Sequence, residues 1–289
     1  MTINIRPFFD SATNTLTYIL FNNEINEAVI IDPVLNYDQA SSSITDESVK
    51  SYVSFLEDNN LNLTHVFETH AHADHITGAD LLKRIYPKVK TCIGEGIMDV
   101  QKFFTSIYNL KSFDPNGRQF DVLLKDDQEV SVLGSSLKVI TTPGHTPACI
   151  SLLIDGHLFT GDTLFMPDIG TGRCDFPGGS SKQLFDSIMN KLYVLPGPTK
   201  VYTGHDYNPK REVSEVVTSI KESKDNNIQI RENTTLDEFV SFRDSRDSTL
   251  NAPKLLYPSI QLNINGGKIP SPEDNGNSYL KIPLSISLN

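Results

Sequence analysis

The sequence predicts an α/β fold in which two β-sheets face each other and helices cover their outer faces. Short β-like apolar runs occur in two groups, one within residues 17–68 and the other within 130–204. Segments with helical apolar spacing lie between and after these groups, and metal-ligating side chains directly follow several of the runs. Because elements that are apolar on one face must pack in layers, this order predicts a layered sandwich.

The first group of predicted strands covers residues 17–21, 28–33 and 65–68. Apolar residues at the spacing i, i+3, i+4, i+7 predict a helix between the second and third of these strands. They are Val49, Tyr52, Val53 and Leu56. A second helix is predicted over residues 79–85, and it should end before Pro87.

The second group of predicted strands covers residues 130–133, 137–140, 150–154, 157–160 and 200–204. Ser180 and Gln183 match a capping box at the start of a helix, whose apolar stripe belongs to the core. That stripe consists of Leu184, Phe185, Ile188 and Leu192. Further helices are predicted over about 211–223 and 236–246. We predict a catalytic domain over residues 1–225 and a C-terminal extension over 226–289 that packs on it as a cap.

Composition excludes several classes of protein. The net charge of -11 opposes binding to nucleic acid, which depends on Lys and Arg displacing counterions. No apolar run is long enough to span a bilayer, and the first residues lack the order of a signal peptide, so the expected location is the cytoplasm. Three widely spaced cysteines, Cys92, Cys149 and Cys174, indicate neither a disulfide framework nor a thiolate zinc site.

A dense cluster of potential metal ligands follows the predicted strand at 65–68. It consists of His70, His72, Asp74 and His75. Side chains alternate in an extended segment, so the first three can share one face while His75 turns toward another. An isolated His-x-His pair is more often hydrogen-bonded than metal-bound, but four crowded imidazole and carboxylate groups need a cation to satisfy them. The cluster therefore predicts a site for one metal or for two adjacent metals.

Three further candidate ligands, His145, Asp162 and His205, each follow a glycine at the end of a strand-like run. Taken singly, each fits a plain turn or a surface residue equally well. Together with the cluster they predict strand ends that converge on one place. His65 and His157 begin apolar runs without a glycine turn, and we assign them no role in the site.

These ligands, in this order, resemble the metal-binding signature of the metallo-β-lactamase fold superfamily, over roughly residues 1–225. The resemblance implies an αββα sandwich of two facing mixed sheets with outer helices and a site at one edge of the sheets. For the binuclear hydrolases of the superfamily it implies two ligand sets with Asp162 as the bridge. The sets are His70, His72 and His145 for one metal, and Asp74, His75 and His205 for the other.

Residues 161–176 and the tail segments 272–276 and 279–283 are similar to the persulfide dioxygenases, in a bacterial branch with a longer loop before an Arg-x-Asp-Phe motif. This resemblance implies one catalytic Fe(II) per chain, held by His70, His145 and Asp162, with Zn as a substitute. It implies oxidation of glutathione persulfide by O2 to sulfite and glutathione. The side chains expected to orient these ligands are His72, Asp74, His75, His205 and Asp206.

Glutathione carries carboxylates, so an acidic protein needs a local cation to bind it. Arg173 is our candidate, because a guanidinium can grip a carboxylate with two parallel bonds; the alternative is an ion pair with Asp175. Tyr207 is expected to point its hydroxyl into the cleft, with plain packing as its alternative. Cys174 stands where Thr is usual in the family, and we interpret it as inert rather than as a reactive rim thiol.

The main rival function is that of a binuclear zinc hydrolase of the glyoxalase II type, which cleaves a glutathione thioester. Every ligand for that function is present, so only the loop around Arg173 and the tail favour the dioxygenase. A non-enzymatic sulfur sensor would be expected to lack a ligand, and none is missing. A homodimer and a sulfurtransferase partner are further expectations that the residues do not decide.

Overall fold

The computed structural model describes residues 2–287; residues 1, 288 and 289 of the predicted domains lie outside it. Its strands are β1 (Asn4–Asp10), β2 (Thr15–Asn22), β3 (Glu27–Ile31), β4 (Val34–Asp38), β5 (Ser43–Thr45), β6 (Asn62–Glu68), β7 (Ile76–Thr77), β8 (Lys90–Gly94), β9 (Val122–Leu124), β10 (Glu129–Val132), β11 (Ser135–Thr141), β12 (Ile150–Ile154), β13 (His157–Phe159), β14 (Lys200–Tyr202) and β15 (Thr218–Ser219). Its α-helices are α1 (Glu47–Asp58), α2 (Ala79–Ile85), α3 (Ile97–Tyr108), α4 (Ser181–Asp186), α5 (Ile220–Asn226), α6 (Leu236–Asp247) and α7 (Leu256–Asn263).

Two six-stranded sheets and one small sheet organise the chain. The large sheets have the strand orders β1-β2-β3-β6-β8-β9 and β10-β11-β12-β13-β14-β15, and the small one has the order β5-β4-β7. Both large sheets are mixed: β3, β6, β8 and β9 run parallel, as do β13 and β14, whereas the other neighbours are antiparallel.

Alternation along β3 shows how the layers form. Val29 and Ile31 belong to the cluster between the two sheets, whereas Ile30 belongs to the cluster beneath the outer helices. A strand covered on both faces is apolar at every position, which is why residues 28–31 form a continuous apolar run. The facing strands of the second sheet complete the inner layer with Val139 and Leu152.

Helices cover both outer faces of the sandwich. Val49 and Leu56 of α1 pack with α2 on the first sheet, and Leu184 of α4 packs with Phe239 of α6 on the second. The αββα class predicted from the sequence is therefore confirmed. Within residues 2–287, no helix combines the length and the apolar character needed to cross a bilayer.

Two helical predictions need correction, and two helices were not predicted. The polar helix predicted over 211–223 is wrong: a short 3-10 helix (Val213–Glu215) is followed by β15, which pairs with β14, and α5 begins only at Ile220. The helix begun by Ser180 continues after α4 as a π-helix (Ser187–Leu192), and Ser187 Oγ donates to the carbonyl of Pro143. Neither α3 nor α7 was predicted from the sequence.

The C-terminal extension lies against the rest of the chain. Phe239 of α6 is fully buried in the outer cluster of the second sheet. Leu262 of α7 joins the outer cluster of the first sheet, and Ile260 and Ile264 pack with α3. Beyond α7 the described chain forms neither helix nor strand, although Leu280 packs against the first sheet.

Candidate metal and substrate site

The predicted ligands all lie in loops that follow strands. The cluster from His70 to His75 joins β6 to β7, and His145 follows β11, Asp162 follows β13 and His205 follows β14. All five predicted ligand histidines are nearly inaccessible to solvent, whereas Asp74 is half-buried. The two facing sheets therefore deliver these side chains to a single edge of the sandwich.

Two glycines permit this convergence. Gly161 has a φ of +48°, and a Cβ there would lie 2.4 Å from Oγ1 of Thr69. A Cβ on Gly204 would lie 2.8 Å from Oδ1 of Asp162. Any larger residue at either position would displace the loops that carry Asp162 and His205, so the glycines predicted to form tight turns also allow close packing of the loops.

His70, His145 and Asp162 form one compact set whose candidate ligand atoms lie within 4.8 Å of one another. Oδ2 of Asp162 is 3.5 Å from Nε2 of His145 and 3.9 Å from Nε2 of His70. Nε2 of His70 and Oδ1 of Asp162 are buried without a hydrogen-bond partner among the described residues. Metal bonds of about 2.1 Å hold two ligand atoms of one ion within about 4 Å of each other, and both distances to Asp162 meet this limit, so the set fits a metal ion.

Main-chain carbonyls fix two of the imidazoles. Nδ1 of His145 lies 2.6 Å from the carbonyl oxygen of Arg173, and Nδ1 of His205 lies 3.0 Å from that of Asn14. A carbonyl only accepts hydrogen bonds, so each Nδ1 carries the proton. With the proton on Nδ1, the other ring nitrogen, Nε2, is the atom of each ring that is directed toward the carboxylate of Asp162.

A threonine has the same effect on His70. The Thr69 hydroxyl donates to Oδ2 of Asp32 at 2.7 Å, so its oxygen accepts from Nδ1 of His70 at 3.0 Å. This leaves Nε2 of His70 as the ligand atom. Burial, reinforced by the neighbouring rings of His72 and His145, holds the pKa of His70 well below its usual value, which favours the neutral, metal-binding form.

His72 is oriented the opposite way. Its Nε2 lies 3.0 Å from Oδ1 of Asp32 and 3.2 Å from Oε2 of Glu68, and its Nδ1 is buried without a partner among the described residues. Burial alone would lower the pKa of His72, but the carboxylates of Asp32 and Glu68 raise it well above its usual value. The two carboxylates thus keep Nε2 of His72 away from the metal set.

Asp74 joins the remaining predicted ligands. Its Oδ2 lies 3.2 Å from Nδ1 of His75 and 3.4 Å from Nε2 of His205. Oδ1 of Asp162 also lies 3.4 Å from Nε2 of His205. The second compact set contains His72, Asp74 and His75, so it differs from the set that the binuclear resemblance implies, in which His205 takes the place of His72.

A cavity of about 320 Å³ opens beside these ligands and is lined by Asp74, His145, Asp162 and His205 on one side. The rest of its wall is formed by Ala73, Phe165, Ile169, Thr171, Gly172, Arg173, Tyr207, Gln229, Arg243, Arg246, Leu250 and Pro253. Both predicted substrate residues, Arg173 and Tyr207, therefore reach the cavity. Its volume is at the small end of the range for ligand pockets, about 300–1,000 Å³.

The Arg173 guanidinium forms the ion pair named above as its alternative role. Its Nε and Nη2 donate to the two carboxylate oxygens of Asp175, and Nη1 donates to the carbonyl of Asn251 at 2.8 Å. Arg173 nevertheless lines the cavity, and its own carbonyl orients His145. Its side chain and its main chain thus have separate contacts, which can be tested separately.

Tyr207 and Asp206 differ in their surroundings. Tyr207 is about half exposed and stacks on His205 with ring centroids 5.5 Å apart. Asp206 is buried and accepts from Nη1 of Arg211 at 2.7 Å, while Arg211 also binds Asp168. Asp206 therefore holds the loop behind His205 in place instead of facing the metal set.

Cys174 is buried, and its amide donates to Oδ2 of Asp247 at 2.7 Å. Burial raises the pKa of its thiol, so the thiolate form is disfavoured. These contacts agree with an inert side chain. His65 stacks on Phe67 and His157 contacts Tyr202, both away from the metal set.

Asn263 of α7 is the main site residue that the sequence did not indicate. Its Nδ2 donates to the carbonyls of His72 and His75, each at 2.8 Å, and its Oδ1 accepts from the amide of Thr77 at 2.9 Å. One buried side chain of the C-terminal extension thus fixes both ends of the loop segment 72–77. Asp32 and Glu68 were also missed, although Glu68 directly precedes the ligand cluster.

A family model described as the metallo-β-lactamase superfamily matches residues 12–205, a range that contains every ligand described above. This chain belongs to the metallo-β-lactamase superfamily. The match confirms the resemblance inferred from the ligand pattern, and the metal-binding His and Asp cluster is the one expected of a member of this superfamily. Members of the superfamily include both hydrolases and dioxygenases, so membership alone leaves the reaction open.

Similar superfamily members carry different names. Glyoxylase B2 of Dictyostelium discoideum is 45% identical over 98% of this chain and 97% of its own length. The mitochondrial persulfide dioxygenase ETHE1 of Homo sapiens is 30% identical over 87% of this chain and 83% of its own length. A crystal structure of ETHE1 from Myxococcus xanthus, 32% identical, superposes with a TM-score of 0.74 over 92% of this chain and all of that one.

Proposed function

We propose that this chain is an Fe(II)-dependent persulfide dioxygenase that converts glutathione persulfide, O2 and water into glutathione and sulfite. The observation that carries the proposal is the compact set of His70, His145 and Asp162 beside the cavity. Two imidazoles and one carboxylate are the ligands of non-haem iron oxygenases. The named persulfide dioxygenase from Homo sapiens and the ETHE1 structure from Myxococcus xanthus support this choice over other members of the superfamily.

When bound, Fe(II) would supply open coordination positions and the redox chemistry that joins the persulfide sulfur to O2. In the overall reaction the bond between the two sulfur atoms breaks, and the outer sulfur gains two oxygen atoms from O2 and one from water. Electrons pass from the outer sulfur to O2, the inner sulfur leaves as the thiol of glutathione, and two protons are released with sulfite.

The residues around the metal set favour one ion over two. Nε2 of His72 is held by carboxylates, and Nδ1 of His75 and Nε2 of His205 both lie close to the same oxygen of Asp74. These contacts hold His72, His75 and His205 beside the three ligand side chains. Phe165 and Ile169 give the cavity an apolar wall against which the carbon chain of the substrate can pack.

Replacing Arg173 separates substrate binding from metal binding. We expect Arg173→Ala to raise the apparent KM for glutathione persulfide by about tenfold, because the charge-assisted contact between the guanidinium and a glutathione carboxylate is lost. The variant should keep its iron, because the main-chain carbonyl of residue 173 still holds His145. Steady-state O2 uptake and metal analysis of the purified variant measure both quantities. Equal loss of iron and affinity would show that Arg173 is purely structural.

The proposal is tested by purifying the chain without O2, measuring its metals, and following O2 consumption with glutathione persulfide. We expect close to one iron per chain, rapid O2 uptake, and sulfite and glutathione as products. Two zinc ions per chain, cleavage of a glutathione thioester and no O2 uptake would contradict it.

A binuclear thioester hydrolase of the glyoxalase II type is the second candidate. It is favoured by the name of the Dictyostelium discoideum relative and by the second compact set of His72, Asp74 and His75. Thioester cleavage by the zinc-loaded chain, measured beside O2 uptake by the iron-loaded chain, compares the two directly.

A further inference from the structure

We infer that Arg246 binds a carboxylate of the glutathione moiety at the rim of the cavity. This inference rests on the glutathione part of the proposed function and holds for either reaction considered above. Arg246 lies in the last turn of α6, its side chain is exposed, and it lines the same cavity as Asp162 and His145.

Most polar side chains in the cavity wall are already engaged. Arg243 is fully buried and binds both oxygens of Asp247, and its Nη1 donates to Gln229. Gln229 also holds the main chain at Ile169 and Thr171. These groups tie α6 to the loop at 169–172 and are not free for a ligand.

Arg173 is engaged as well, through Asp175 and Asn251. Away from the metal set, this leaves two polar side-chain ends in the wall that have no internal partner within residues 2–287. They are the hydroxyl of Tyr207 and the guanidinium of Arg246. Of the three arginines that reach the cavity, Arg246 is therefore the one that can bind an anion without giving up a contact formed within residues 2–287.

The chemistry of glutathione matches this placement. Its two carboxylates lie at the ends of the tripeptide, away from the sulfur, so a sulfur near Asp162 brings a carboxylate toward the rim of the cavity. The acidic side chains of the cavity, Asp74 and Asp162, belong to the metal region, and the rim has to supply the positive charge. A guanidinium suits this task because it binds a carboxylate through two parallel hydrogen bonds.

A different role for Arg246 follows from its position alone. A cation in the last turn of a helix interacts favourably with the helix dipole, and this requires no ligand. That role predicts a small loss of thermal stability in Arg246→Ala with unchanged affinity for glutathione. Ligand affinity and melting temperature, measured on the same variants, therefore separate the two roles.

The test measures the affinity of the iron-loaded full chain for S-methylglutathione and for its diethyl ester by anaerobic calorimetry. The variants are Arg246→Ala, Arg246→Lys and, as a matched control, Arg118→Ala. Arg118 is an exposed arginine that lies outside the cavity and forms no ion pair within residues 2–287. We expect Arg246→Ala to weaken binding of the acid by about tenfold, Arg246→Lys to restore part of it, and the control to match the unchanged chain.

The ester shows whether the carboxylate is the group recognised. It should bind Arg246→Ala and the unchanged chain equally. Unchanged affinity of Arg246→Ala for the acid, or an equal loss with the ester, would overturn the assignment. If the unchanged chain bound neither ligand and consumed no O2, the proposed function itself would fail, whereas normal O2 uptake and binding in both chains would reject the role of Arg246 alone.

Discussion

His145→Gln is expected to abolish iron binding and, with it, O2 uptake on glutathione persulfide. His145 supplies one of only two imidazoles in the compact ligand set, and its Nε2 lies 3.5 Å from the carboxylate of Asp162. Removing a ligand should cost more than the roughly 10–100-fold loss typical of residues that only orient ligands. Metal analysis after anaerobic reconstitution and O2 electrode measurements on the same sample check this result.

His157→Gln is the matched control for this prediction. His157 is a half-buried histidine at the start of β13 that contacts Tyr202 and lies outside the metal set. We expect this variant to retain full iron content and O2 uptake. An iron-loaded, active His145→Gln chain would remove His145 from the ligand set and with it the main support for the proposed function.

The sequence predicts the layers of this fold because burial on both faces leaves a clear pattern. Residues 28–31 of β3 form a continuous apolar run, and α2 was predicted with the bounds that the structure gives. The segment 211–223 was misassigned because tertiary contacts decide its conformation: Arg211 is held by Asp168 and Asp206, and residues 218–219 pair with β14. Helix α3 was overlooked although Ile97, Val100, Phe104 and Tyr108 show helical spacing.

The sequence predicted the metal-ligand residues of the site more completely than the residues that surround them. Ligand residues are recognisable because their types and spacing are uncommon, as in the cluster from His70 to His75. The pairing of Arg173 with Asp175 could be named only as an alternative, since the loop conformation decides between two partners. Orienting groups such as Asp32 act through single hydrogen bonds across the fold, and no local pattern marks them.

Asn263 shows how strongly the site depends on such a distant residue. Its side chain makes three hydrogen bonds to the main chain of the ligand loop, at His72, His75 and Thr77, from a position 186–191 residues further along the chain. All of these groups are buried, so water cannot readily replace the lost partner. Helix α7, which carries Asn263, therefore helps to shape the metal site.

Asn263→Ala should consequently affect both stability and metal binding. Leaving buried main-chain groups without partners costs about 1–3 kcal/mol each, so we expect the free energy of unfolding to fall by about 3 kcal/mol. We expect iron affinity to fall by about 10–100-fold, because the loop no longer holds its ligands in position. Urea unfolding and competition with an iron chelator measure the two effects.

Asn265→Ala is the control, since the half-buried side chain of Asn265 has no hydrogen bond within residues 2–287. Lower stability with unchanged iron affinity would mean that Asn263 holds α7 to the domain without shaping the ligand loop.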